Sequence, residues 1–184
     1  MRIVTVIIML IIRVVYAQDT TFFAKNKKVN TLDSCERYRV VKWDTARQLY
    51  SAKYYSYKSP LSIVESEKTY IDKGLTKLEG ESKSYFPDGR IASKANYVNG
   101  ETHGYSVSYY NNGNIFWEVS YLYGMRDGSF RMYYPNGNIK RDENYSANKW
   151  INGKMYDSTG IEIPYCGEFE QQPQYPGGVQ AFYK

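Results

Sequence analysis

The chain has 184 residues, room for one domain or one repeat array with tails. Its net charge of +5 is spread as +2 over residues 1–17, +4 over 18–79, +2 over 80–156 and −3 over 157–184. So scattered a surplus excludes the dense basic stripe of a nucleic-acid binder. One histidine and two cysteines exclude any two-histidine site, a zinc cluster, a disulfide-dense scaffold and a c-type haem site. With 21 tyrosines, and Ser and Asn favoured over Leu and Ala, the composition points to strands and turns rather than helices.

Residues 1–17 read as a secretory signal peptide. Met1-Arg2 is a short basic start, Ile3 to Ile12 is an apolar run broken only by Thr5, and Val15-Tyr16-Ala17 offers a cleavage site before Gln18. The run is shorter than the ~20 residues that a membrane span needs, and Arg13 interrupts it. The expectation is therefore an exported protein with a mature charge of +3, in the periplasm or at the outer-membrane periphery of a Gram-negative bacterium.

Residues 18–73 read as degenerate β repeats or an N-terminal cap. Tyr38 to Trp43 and Leu49 to Tyr57 are rich in aromatic and branched residues, and Leu61 to Tyr70 precedes a loop at Gly74. Lys25, Lys27 and Lys28 form a small basic cluster, read either as a solvated tail or as a contact for anionic headgroups.

Residues 74–160 carry an internal repeat of 24 residues. The glycine pairs Gly80/Gly89, Gly104/Gly113 and Gly128/Gly137 recur at that offset, with Gly100 and Gly124 in a second loop. So do Tyr85, Tyr109 and Tyr133, then Ile91, Ile115 and Ile139, then Tyr97, Tyr121 and Tyr145. Each unit reads as a hairpin. In Tyr134-Pro135-Asn136-Gly137, Pro suits the first corner of a type I turn and Gly the left-handed residue after it, which gives a three-residue loop. That loop pairs Tyr109 with Ile115, Val107 with Trp117 and Tyr105 with Val119. It predicts one face made of Tyr105, Val107, Tyr109, Ile115, Trp117, Val119 and Tyr121. The opposite face, with Phe86, Tyr110, Phe116 and Tyr134, is the candidate binding surface, because large exposed aromatics call for an explanation. The fourth unit reads as shortened, since Gly153 and Gly160 are only seven apart. The expected fold is all-β: an antiparallel meander of hairpin repeats forming one elongated, twisted sheet.

The pattern of Gly104, Tyr109, Tyr110, Asn112, Gly113, Ile115 and Tyr121, preceded by Tyr97, Gly100 and His103, resembles the MORN repeat in its bacterial variant. It is similar to the repeats of YwqK-like proteins. Residues 161–184 form a tail with Pro164, Pro173 and Pro176. Its segment Pro173 to Gly178, followed by Ala181, resembles the opening of a TonB C-terminal domain. That resemblance implies either a natural truncation or a fragment of an energy-transducing protein.

No P-loop, dinucleotide-binding glycine pattern, nucleophile elbow or paired-histidine motif is present in the sequence. His103 is read as a loop residue of the repeat, since its counterpart one unit on is Asp127. Cys35 and Cys166 are read as one disulfide, as two free thiols or as intermolecular partners. The expectation is a non-enzymatic cell-envelope scaffold without cofactor, whose partner is another envelope protein. A glycan or a lipid headgroup on the exposed aromatics is the alternative.

Overall fold

The computed structural model describes residues 19–24, 27–30, 36–58 and 61–165. Residues 1–17, read above as a signal peptide, Lys25, both cysteines and Pro173 to Ala181, read as TonB-like, lie outside the described residues. All regular structure among the described residues is β. Two compact units are present, one ending at Gly104 and one starting at Tyr105.

The first unit holds β1 (Asp19–Ala24), β2 (Lys27–Val29), β3 (Arg37–Asp44), β4 (Leu49–Lys58), β5 (Leu61–Tyr70), β6 (Gly80–Tyr85), β7 (Ile91–Val98) and β8 (Glu101–Thr102). β1 lies between β2 and β3, and from β3 onward each strand pairs antiparallel with the next. The second unit holds β9 (Gly104–Tyr109) from Tyr105 on, β10 (Ile115–Leu122), β11 (Met125–Tyr133), β12 (Ile139–Ser146), β13 (Lys149–Tyr156) and β14 (Glu162–Ile163), in meander order. An antiparallel meander of hairpins is thus what the described residues form. The strands expected at 38–43, 49–57 and 61–70 are β3, β4 and β5.

The turn chemistry is the expected one. At Tyr134 the N–H donates to the Asn138 carbonyl at 2.8 Å, and Gly137 N–H donates to the Tyr134 carbonyl at 2.9 Å. Gly137 sits at φ +92°, the left-handed conformation that closes a three-residue loop. The same bonds recur around Gly89, Gly113 and Gly160.

Beyond the first pair, however, the register departs from the expected one. Tyr133 faces Ile139 and Tyr85 faces Ile91, but the next partners are Met132 with Arg141 and Ser84 with Ser93. Lys140 and Ala92 are extra residues, each a β-bulge directly after the turn. A slip of one residue exchanges the faces of a strand. In the β9–β10 hairpin the Tyr105 hydroxyl donates to Glu118, which puts Tyr105 on the face of Glu118 and not on that of its strand neighbours Trp117 and Val119.

The fourth unit is shorter by one residue, and Gly153 is not the marker of the loss. The turn glycines Gly89, Gly113, Gly137 and Gly160 are spaced 24, 24 and 23. Between β10 and β11, Ser120 stands opposite Asp127, Gly128 and Ser129, two extra residues on β11. Between β12 and β13 only Ile151 is extra. The smaller bulge absorbs the missing residue, so the last turn still lands in register. The array also runs past residue 160, since Glu162–Ile163 form β14.

In the second unit the core lies on one face, where Val119, Phe130 and Tyr145 are buried beneath Trp117, Tyr121, Met132 and Trp150. Phe130 meets Tyr145 edge-on at 6.2 Å. In the first unit Phe22, Ala52, Tyr70, Phe86 and Ala92 are buried.

Candidate interaction surface

The face of the second unit opposite its core carries a row of alternating charges. Register sets Glu118 opposite Arg131, Arg131 opposite Asp142, and Asp142 opposite Lys154. Arg131 Nε donates to Asp142 at 3.0 Å and its Nη1 lies 3.6 Å from Glu118, while Lys154 Nζ reaches Glu162 at 2.8 Å. Opposite charges on adjacent strands are the favourable arrangement, each pair contributing roughly 0.2–1 kcal/mol.

Two tyrosines complete the row. Tyr133 donates its hydroxyl to Glu118 at 2.7 Å, and Tyr105 donates to the other oxygen. Partial burial by itself raises the Glu118 carboxyl. The two hydroxyls and Arg131 outweigh it and hold the group below the usual carboxylate range. Burial first, and the Glu118 bond second, push Tyr133 up to about 12. Tyr105 is 52% exposed, so an aromatic ring stands in solvent with its hydroxyl already aimed.

The first unit has its own row. Lys53 faces Glu67, Glu67 faces Lys83, and Lys83 faces Lys94. Lys53 reaches Glu67 at 2.6 Å, and Glu81 at 2.5 Å offsets the like-charge pairing of Lys83 with Lys94.

The four aromatics expected on an exposed binding face sit otherwise. Phe86 is 3% exposed, with the Arg90 guanidinium 5.7 Å from its ring centre, and so belongs to the core. Tyr110 is half-buried, tilted against Phe116 at 4.9 Å, and donates to the Tyr133 carbonyl at 2.8 Å. Tyr134, one repeat on, donates to the Tyr156 carbonyl at 3.0 Å. These rings tie each repeat to the next instead of standing free. His103 donates its backbone N–H to Asn96 at the junction after β8.

Sequence reasoning missed two sets of residues. The turn asparagines do more than turn. Asn112 and Asn114 both donate side-chain amides to the Pro135 carbonyl, at 2.7 and 2.8 Å. Asn136 and Asn138 repeat this on Ser158, at 2.8 and 2.9 Å. The 24-residue spacing of these asparagines was the available signal.

The second set surrounds Glu143, which has no exposed surface. Arg141 grips one carboxylate oxygen through Nη2 at 2.6 Å and Nε at 2.7 Å. Tyr165 donates to that oxygen at 3.0 Å and Tyr145 to the other at 2.8 Å. Burial first, and then Glu143, push Tyr145 up to about 12. Opposite stands Gly153, where a Cβ would lie 2.7 Å from Glu143 Cγ and 2.9 Å from the Asp142 carbonyl oxygen. A glycine inside a strand marks such a close approach.

Among the described residues no three His, Cys, Asp or Glu side chains gather into a set able to hold a metal ion. Residues 78–99 and 126–147 match the family model of the MORN repeat variant. The matches start 48 residues apart, two periods of the repeat, and cover the β6–β7 and β11–β12 hairpins. No curated protein matches the chain.

Proposed function

We propose that the chain is a non-enzymatic scaffold of the cell envelope, exported by its N-terminal signal, that presents a repeat-built sheet to another protein. Repeats of the matched kind suggest a binding scaffold, and they are generally non-catalytic. The observation that carries the reading is the charge row with Tyr105 beside it. A half-exposed ring next to ordered charges of both signs offers a partner aromatic contact and fixed hydrogen-bonding groups together, and tyrosine is enriched at such contacts.

The test is affinity capture from envelope extracts with the tagged wild type and with a Tyr105→Ala, Arg131→Ser variant. A specific protein held by the wild type and weakened at least tenfold by the variant supports the reading. Recovery of no specific protein refutes it. The intact mass of the native protein tests the export premise, which requires a chain beginning at Gln18.

A further inference from the structure

β14 is held to the sheet at very few points. It pairs with β13 at Met155–Ile163 and Tyr156–Glu162 only. Ile161 and Ile163 are exposed, and the Lys154–Glu162 pair is solvent-facing. Exposed ion pairs contribute little. Tyr165 anchors the segment to the core face: its ring stacks on Trp150 at 5.2 Å and 25° while its hydroxyl bonds Glu143. Among the described residues no strand pairs with Lys149 to Lys154 on the side of β13 away from β12. A free strand edge accepts an added strand.

We propose that Ile163 to Tyr165 is a placeholder: a partner's extended segment adds along β13, displaces the strap and puts its own tyrosine on Glu143. This rests on the scaffold reading and names its partner by chemistry. The segment carries an aliphatic residue and, two positions later, a tyrosine. The strap shows why that residue is needed. Glu143 is already paired with Arg141, so the remaining bond calls for a neutral donor. A lysine or arginine there would bring a second cation against Arg141. A phenylalanine would stack on Trp150 but leave a buried carboxylate oxygen one donor short.

The probe is a labelled, end-blocked peptide of residues 160–165, Gly-Ile-Glu-Ile-Pro-Tyr, titrated by fluorescence anisotropy. It is added to the full-length wild type and to a full-length Ile163→Ser, Tyr165→Ala variant. The released variant binds at least tenfold more tightly than the wild type, where the strap competes. A Tyr165→Phe protein keeps the stacking and falls between them. A peptide ending in Phe binds the released variant about tenfold more weakly than the Tyr peptide, the loss expected for a hydrogen bond to a charged group. Circular dichroism and melting confirm that the variants fold.

Equal affinity for wild type and released variant, no binding to the released variant, or equal binding of the Phe peptide overturns the proposal. So does a wild-type dimer that dissociates when the strap is altered, which would assign the edge to a second copy. A captured envelope protein held equally by wild type and released variant overturns the strap while sparing the scaffold reading. Capture of nothing overturns the scaffold reading itself.

Discussion

Stranding either member of the Arg141–Glu143 pair unfolds the second unit more readily, and not to the same degree. Glu143 has no exposed surface, whereas the Arg141 side chain keeps 17%. Arg141→Met leaves a carboxylate in the interior with only the hydroxyls of Tyr145 and Tyr165. Glu143→Gln leaves a guanidinium that still touches water, and the new amide keeps the shape and part of the bonding. Breaking a buried pair costs about 3–5 kcal/mol. The structure puts Arg141→Met toward the top of that range and Glu143→Gln toward the bottom. The double variant loses less than the sum of the two, by roughly 0.5–3 kcal/mol, because the second change removes a charge already stranded. Urea unfolding followed by the fluorescence of Trp117 and Trp150, both in this unit, reads all four proteins at constant m. Losses under about 1 kcal/mol, the reverse order, or strict additivity would refute the reasoning.

Gly153→Ala lowers stability although alanine suits a strand better. The gain in backbone entropy is about 0.5–1 kcal/mol, while crowding against Glu143 and the Asp142 carbonyl costs about 1–3 kcal/mol, so the urea midpoint falls. Asn136→Ala removes the amide donated to Ser158 and costs about 0.5–1.5 kcal/mol, with faster hydrogen exchange in the 157–161 turn. Tyr133 and Tyr145 are both raised to about 12, so their stabilisation is complete below pH 10 and lost as pH rises through 12. Phenolate absorbance and melting temperature measured together from pH 9 to 12.5 check this, and two tyrosines titrating at 10 would contradict it. Glu118 is lowered, so its contribution is present at neutral pH and lost as pH falls below its usual value of 4.5. Tyr133→Phe raises the Glu118 value in a carboxyl NMR titration.

The turns were readable because they are chemical. Pro135, Asn136 and Gly137 each meet a backbone demand that few other residues meet, and the loop length followed from them. The register was not readable, because a bulge at Lys140 or Ala92 leaves no mark in residue type: one is a charged residue and the other a small apolar one. The distribution of faces beyond each turn depended on that unmarked residue. Glu143 was hidden for a different reason. A lone glutamate in an alternating strand pattern reads as solvated, and only a partner two residues away, a glycine across the sheet and two tyrosines make it an interior residue. Gly153 was the visible trace of that site, and counting it as a turn glycine obscured it.

The asparagine ladder has a direction. Each rung gives amide protons forward to the following turn, so the array has a giving side and a receiving side. In the last described turn the residue at the Asn112 and Asn136 position is Thr159. Its hydroxyl and N–H are both directed back at Asp157, at 2.6 and 2.9 Å. Its side chain carries no amide to pass onward. Among the described turns, the series of forward-pointing amides therefore stops at Thr159. Thr159→Asn would restore at this position the amide that Asn112 and Asn136 carry, so the direction of the ladder is a property of one side-chain type at one turn position.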